Sequence, residues 1–398
     1  MKNTDFSHFV GIDVAKDKFN YAVIDNSMHI LREGQFSMNA EGFTDFLVIV
    51  KDYPHSVFAL ESTGSYHVNL LAFLTANDKK VALINPVLIK KFMQTLTLRK
   101  TKTDKIDAVV IAKFIFKNIE HVNRFVPDST DDITALARAR ESVTKQLARI
   151  KTQLKQHLAV VFPELTANCN VFTDFILNVL EVFPTPQSVV NSPDNKVKAV
   201  FDRLMTGRGR RPALSYQRFI KIAETSIGFS SDNYALIVRH DVRMIKFLDK
   251  QLEEITETFI DEIRKNREDE LEIIKSIKGI SDVTSAHFLA EIKDVKRFEN
   301  KRKLAAYAGI DPSVRQSGYM YANGRISRRG SKSLRRCLYL MASGLVRCNE
   351  YFRAYYLKKK KEGMPHRKAM IALCNKLVRV LFALLKKHEK FNPRFHYL

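Results

Sequence analysis

The chain has 398 residues, with 66 Lys and Arg against 43 Asp and Glu, a formal net charge of +23 and a pI near 9.8. That length accommodates two or three domains with real cores, and the charge points to a polyanionic partner. At 45% hydrophobic, with no run of 18 uninterrupted apolar residues and no apolar leader, the sequence predicts neither a membrane span nor a secretory signal, while Cys169, Cys337, Cys348 and Cys374 lack the C-x-x-C spacing of a zinc or disulfide framework.

Residues 8–117 read as alternating strands and helices. Three apolar runs, His8–Val14, Phe19–Asp25 and His29–Phe36, predict consecutive strands. A helix is expected at Ala40–Val50, a strand at Ser56–Leu60, a helix at Tyr66–Leu74 and a strand at Lys80–Ile84. Asn85-Pro86 then opens a helix with Pro at its first position, and Asp104–Lys117 reads as one more. Strands and helices in this order match a ribonuclease-H-like fold, in which the first and fourth strands are neighbours.

Four acids stand out within that frame. Asp13 ends the first strand's apolar run, Glu61 ends the fourth's, and Asp104 and Asp107 share one side of a helix. Taken singly they have ordinary explanations, since a strand-end Asp is usually a turn former and Asp104 suits a helix cap. Together they sit where a buried carboxylate must be neutralised, which predicts a divalent metal site. Hard oxygen ligands suit Mg²⁺, and two ions roughly 4 Å apart can stabilise both oxygens of a phosphodiester displacement.

The middle of the chain has a different pattern. Ile133, Leu136, Arg140, Val143, Leu147, Ile150, Leu154, His157 and Val161 step by threes and fours, apolar but for Arg140 and His157. A second seam runs Ile245, Leu248, Leu252, Ile255, Phe259, Ile263. The two predict either an antiparallel arm or a joint between subunits. Between them, Pro163 to about Asp232 is rich in turn residues and carries the basic Gly207–Pro212, expected as an exposed loop.

From Leu271 a third part begins. Ile277–Ile280 followed by Ala286–Ile292 predicts a helix–glycine turn–helix, in which Gly279 either presents backbone N–H groups to a phosphate or simply links helices. Positive charge accumulates here: residues 297–336 hold eleven Lys and Arg against Glu299 and Asp311, and from Arg347 onward there are fourteen against three acids. Ser317 lies near Arg315 and the cluster Arg325, Arg328, Arg329, Lys332, Arg335 and Arg336, with a basic helix expected at Lys332–Leu345. A hydroxyl among guanidinium groups suits attack on a phosphodiester, although Ser313, Ser327, Ser331 and Ser333 compete on composition alone. Tyr319, Tyr321, Tyr351, Phe352, Tyr355 and Tyr356 interleave with the cations and could stack on bases, with core packing the alternative for the last four. The histidines form no zinc-hydrolase pattern, and there is no phosphate-binding loop of the ATPase type.

Taken together, Gly11-Ile-Asp13, Leu60-Glu61-Ser-Thr-Gly64, Lys102-Thr-Asp104-Lys-Ile-Asp107, Gly279-Ile280, Tyr307-Ala-Gly309, Pro312, Gln316-Ser317-Gly318 and Ile326–Gly330 resemble the DEDD-type insertion-sequence transposases related to Piv-type invertases. The resemblance is nearly full length. It implies an α/β plus all-α protein: a RuvC-like domain at 1–125, a helical coiled-coil arm with an inserted segment at 126–268, and a mainly helical transposase domain at 269–398. It further implies that Asp13, Glu61, Asp104 and Asp107 hold Mg²⁺ while Ser317 attacks DNA to form a 5′-phosphoserine link. Lys102, Gly279, Arg315, Arg325, Arg328, Arg329, Lys332, Arg335 and Arg336 are the implied nucleic-acid contacts. Donor and target DNA, a structured guide RNA from the element, a dimeric or tetrameric assembly and a cytoplasmic, nucleoid-associated location are implied as well. The alternatives are a Holliday-junction resolvase using metal-activated water and a Piv-type invertase.

Overall fold

The computed structural model describes residues 6–62, 66–96, 104–120, 132–206, 214–317 and 320–394, with backbone alone at 96, 104–106, 132, 312–317 and 320–325. It separates into two units, Met1–Asp131 and Asp132–Leu398.

In the first unit the strands β1 (His8–Val14), β2 (Lys18–Ile24), β3 (Ile30–Ser37), β4 (Ser56–Glu61) and β5 (Lys80–Ile84) form one sheet in the order β3-β2-β1-β4-β5. β1 is antiparallel to β2 and parallel to β4, so the first and fourth strands are neighbours as expected. The helices α1 (Ala40–Val50), α2 (His67–Ala76), α3 (Pro86–Leu96) and α4 (Asp104–Lys117) lie near their predicted bounds. The twofold alternation of the strands divides the core. Val10, Ile12, Tyr21, Phe58 and Leu60 pack with Phe46 of α1 and Leu70 and Leu74 of α2. Phe9, Val57, Ala59, Ala82 and Ile84 face the other way, with Ile89 of α3 and Val110, Ile111 and Ile115 of α4. A sheet with helices on both faces buries both sides of its central strands, which explains their nearly continuous apolar runs.

The second unit begins with two long helices, α5 (Asp132–Val161) and α11 (Asp232–Lys275). They pair within the chain and run antiparallel: Arg140 Nε donates to Thr256 Oγ1 at 2.8 Å, Lys151 meets Asp249 at 3.3 Å, and His157 Nδ1 lies 2.6 Å from Asp241. The two polar members of the first seam therefore have polar partners on α11. Asp241 is fully buried and also accepts from Gln153 Nε2 at 3.2 Å.

The turn-rich segment between the seams is helical. It forms α6 (Pro163–Asn168), α7 (Asp174–Val182), α8 (Pro186–Val190), α9 (Asp194–Met205) and α10 (Tyr216–Glu224), closing over Phe162, Phe175, Phe183, Phe201 and Phe219. Its turn residues are helix caps. Thr173 and Ser215 accept amides at the starts of α7 and α10, Thr185 and Ser188 form a capping box ahead of Pro186, and Ser231 caps α11. The basic Gly207–Pro212 lies outside the described residues.

α11 kinks at Arg267 (φ −149°, ψ 38°), whose guanidinium donates to Leu289 O at 2.8 Å and pairs with Glu270. Beyond it come α12 (Asp282–Ile292), α13 (Lys301–Ala308), β6 (Pro312–Ser317), β7 (Met320–Ile326), α14 (Lys332–Cys348), α15 (Glu350–Lys361) and α16 (His366–Lys387). The β6–β7 hairpin is the strand element within this mainly helical region, and the sequence reading did not place it. Phe352 is buried and Tyr351, Tyr355 and Tyr356 pack against the same core, so these four serve packing, with Lys376 Nζ 4.0 Å from the Tyr351 ring centre. No described helix is long and apolar enough to cross a membrane.

Candidate active site

The acidic site is built on the sheet face that carries α4. β1 and β4 pair in register from His8↔Ser56 to Ile12↔Leu60, so Asp13 and Glu61 each follow the last registered pair. Neighbouring strands lie roughly 4.8 Å apart, which sets these two residues side by side at the carboxyl ends of adjacent parallel strands. Along β1, Gly11 and Asp13 share one face; along β4, Ala59 and Glu61 do. Gly11 pairs with Ala59 and with Ala22, leaving a floor without large side chains.

α4 settles onto that floor. A β-carbon built on Gly11 would lie 2.1 Å from Ala108 O and 2.3 Å from Ala112 N, closer than any real contact. Glycine is required here by close approach, and the helix is pinned two residues before Asp13. Asp107, the residue before Ala108, is 7% exposed. Asp104 opens the same helix with its backbone alone described. Among the described residues no group of three or more His, Cys, Asp or Glu side chains is gathered closely enough to hold a metal ion. The donor chemistry nevertheless fits a hard divalent cation: carboxylates on two adjacent strand ends, and a further pair on a helix fixed to the same face.

Asn20 is a member of this face that the sequence reading missed. It stands opposite Asp13 across the β1–β2 ladder, is 2% exposed, and its Nδ2 has no hydrogen-bond partner among the described residues. An unsatisfied buried donor costs about 1–3 kcal/mol, so its place beside an acid is a candidate functional feature. The signal was a lone polar residue inside Phe19-Asn20-Tyr21.

Ser317 belongs to the second unit, at the end of β6, where it pairs with Met320 and leaves Gly318 and Tyr319 between the strands. The base of this hairpin is clamped. Gly309 ends α13 in the left-handed region (φ +65°), and a β-carbon on Gly330 would meet Tyr307 O at 2.0 Å. The Tyr307–Gly309 and Arg328–Ser331 segments therefore cross almost backbone to backbone, joined by Ser331 N to Tyr307 O (2.6 Å) and Arg328 N to Gly309 O (3.1 Å). Ser327 Oγ donates to Asp311, and Ser331 Oγ donates to Glu291 Oε2 at 2.7 Å. Glu291 is nearly wholly buried on α12 and faces Arg138 of α5 at 3.6 Å.

The predicted cations divide by role. Arg335 Nη1 donates to Ala308 O at 3.0 Å and Arg336 Nη1 to Glu141 Oε1 at 3.0 Å, so both help to hold the hairpin base and α14. Arg328, Arg329 and Lys332 are exposed and available to a polyanion. The side chains of Ser317, Arg315 and Arg325 lie outside the described residues, as does all of Lys102. Gly279 (φ +103°) is pressed against α14, where a β-carbon would meet Cys348 Cβ at 3.0 Å and Gly344 O at 3.2 Å. Its packing supports the helix-linking alternative.

Ser333 has geometry that its sequence context did not reveal. Its Oγ lies 2.7 Å from His287 Nε2 and donates to Glu141 Oε2 at 3.0 Å. Burial pushes the His287 pKa below its ordinary value. Burial raises Glu141, but hydrogen bonds from Lys145, Ser333 and Arg336 outweigh it and bring its pKa down to about 2. The Ser333 proton is thus committed to a strong acceptor, which suits a structural tie between α5, α12 and α14 better than a nucleophile.

Two family models match the chain. A DEDD transposase model of the IS110 type matches residues 10–163, and a transposase model of the IS116/IS110/IS902 family matches residues 271–357. A pilin gene-inverting protein of Moraxella bovis is 24% identical over 98% of both chains. A mini-circle putative transposase for IS117 from Streptomyces coelicolor is 23% identical over 97% of this chain and 95% of its own. An uncharacterized 42 kDa protein of insertion element IS900 from Mycobacterium paratuberculosis is 30% identical over 54% of each. The two family models fall on the two parts that carry the acidic edge and the serine hairpin, and together they span more than half of the sequence: the chain belongs to the IS110/IS116 family of DEDD transposases.

Proposed function

We propose that this transposase cleaves and rejoins DNA strands with Ser317 as nucleophile and Asp13, Glu61, Asp104 and Asp107 as a divalent-metal site for Mg²⁺. The observation that carries the acidic half is the parallel β1–β4 pairing, which sets Asp13 and Glu61 at adjacent strand ends under an α4 pinned at Gly11. Bound Mg²⁺ would supply charge stabilisation at the scissile phosphate. Ser317 Oγ forms a bond to phosphorus as the bond to the 3′-oxygen breaks; the serine gives up its proton and the departing 3′-oxygen gains one. A 3′-hydroxyl then attacks the phosphoserine, restoring the serine and a phosphodiester. One ester replaces another at each step, so no nucleotide triphosphate is consumed, in keeping with the missing phosphate loop.

Exposed Arg328, Arg329 and Lys332 would hold nucleic-acid backbones near the hairpin. Site choice would be delegated to base pairing with a structured RNA from the element, and the protein would work as a homo-oligomer in the cytoplasm. The Moraxella bovis relative is named for inverting a pilin gene, which favours programmed inversion as the second reading. The test compares Asp13→Asn, Ser317→Ala and wild type on a plasmid carrying the DNA that flanks the gene. Both variants should bind and fail to exchange strands. Cleavage by Ser317→Ala with release of a 5′-phosphate would instead support a water-using resolvase.

A further inference from the structure

We propose that a basic cleft at the foot of the serine hairpin, formed by Lys301, Arg302 and Arg379, seats a backbone phosphate of the DNA a few nucleotides from the one attacked. The inference rests on the function proposed above and adds to it a binding site on α13 and α16. The cleft has a volume of about 420 Å³ and is lined by these three cations with Ala305, Asp311 and Asn375. Against about 30 Å³ for one water, it admits a sugar–phosphate unit.

The electrostatics favour an anion. Asp311 is the one acid among the described lining residues, and its carboxylate accepts the Ser327 hydroxyl. Arg302 and Arg379 are exposed and form no ion pair among the described residues. Asn375 Nδ2 donates to Ile310 O at 3.2 Å, which ties α16 to the residue next to Asp311 and fixes the cleft to the hairpin. The Asn300 side chain takes the amides of Arg302 and Lys303, so the positive character here comes from side chains and not from an open helix end. Among the described residues nothing aromatic lines the cleft, which suits it to backbone rather than to a stacked base.

Position sets the register. Asp311 directly precedes β6, and Ser317 ends it. Six residues of strand at about 3.3 Å each span about 20 Å. At about 3.4 Å per nucleotide along a duplex strand, the seated phosphate lies within about six nucleotides of Ser317.

The test measures equilibrium binding of the full chain to a 40-bp duplex of arbitrary sequence, between 50 and 200 mM salt and with EDTA present. An Arg302→Ala/Arg379→Ala variant should flatten the log–log salt slope by about 1, since the one seated phosphate contributes about 1, and lower affinity about tenfold near 100 mM. Arg302→Lys/Arg379→Lys should restore the slope, and both variants should keep the wild-type Tm because the two side chains are exposed. An unchanged slope, or no salt-dependent duplex binding by wild type, overturns the proposal. So does a change seen only with a 40-nucleotide RNA, which would assign the cleft to RNA. Because no strand is cut under these conditions, the outcome does not depend on whether Ser317 is the nucleophile.

Discussion

Gly11→Ala is the sharpest probe of how the fold builds the acidic site. The new β-carbon would lie 2.1 Å from Ala108 O, where ordinary contact begins near 3.4 Å, so α4 must retreat by about 1.3 Å. The obstacle is backbone on both sides, which leaves no side chain to swing away. Overpacking of this kind costs about 1–3 kcal/mol, partly offset by about 0.4–1 kcal/mol from the stiffer unfolded chain. The net loss is therefore about 1–2 kcal/mol, a few degrees in Tm and far from unfolding the unit. Catalysis should suffer more: a displacement of about 1 Å between reacting groups can cost about 100-fold, and Asp107 moves with Ala108 while Asp13 stays on its strand. The assay pairs calorimetric Tm with Mg²⁺-dependent cleavage of plasmid carrying the flanking DNA. Gly363→Ala serves as the control, being strained (φ +82°) but with nothing within 4 Å of the added carbon. It should lose about 1 kcal/mol and keep its cleavage rate. Full cleavage by Gly11→Ala would refute the claim that α4 must carry its acids to the end of β1.

Gly330→Ala places a β-carbon 2.0 Å from Tyr307 O at the hairpin base and should cut covalent adduct formation about 100-fold while leaving the DNA Kd within about twofold. Asp241→Ala removes a fully buried acceptor shared by His157 and Gln153 in the arm, and should cost about 2–4 kcal/mol in urea unfolding. Glu141 titrates near 2 in the folded chain against an ordinary 4.5, so its stabilising contribution is complete above pH 4.5 and disappears as pH falls toward 2. Glu141→Gln should flatten the acid unfolding curve in that window, and an unchanged curve would count against the Lys145–Glu141–Arg336 arrangement.

The N-terminal half was legible because its strands alternate with helices at short spacing, and each apolar run ends on a recognisable breaker. Strand order followed from element order, and with it the adjacency of Asp13 and Glu61. The insert's individual helices were not legible because Ser, Thr, Asn and Pro serve turns and helix starts alike; only the packing of five phenylalanines distinguishes them. The hairpin escaped because Pro312–Ile326 has no sustained alternation, though Gly318-Tyr319 is the length and type of a two-residue strand connection. Glu141 and Glu291 could not be found in advance. Their role as acceptors for Ser333 and Ser331 joins residues 192 and 40 positions apart, and no local pattern marks such a pair.

The central claim of the proposed function is that Ser317 becomes covalently attached to DNA in a reaction that also requires the acids Asp13, Glu61, Asp104 and Asp107. Its most direct test is mass spectrometry of the protein trapped on nicked or suicide DNA substrate with Mg²⁺. A phosphodeoxynucleotide on the peptide containing Ser317, absent from Ser317→Ala and Asp13→Asn and retained in Ser333→Ala, is the predicted result. An adduct on Ser333, or strand cleavage by wild type with no adduct at any serine, would contradict it.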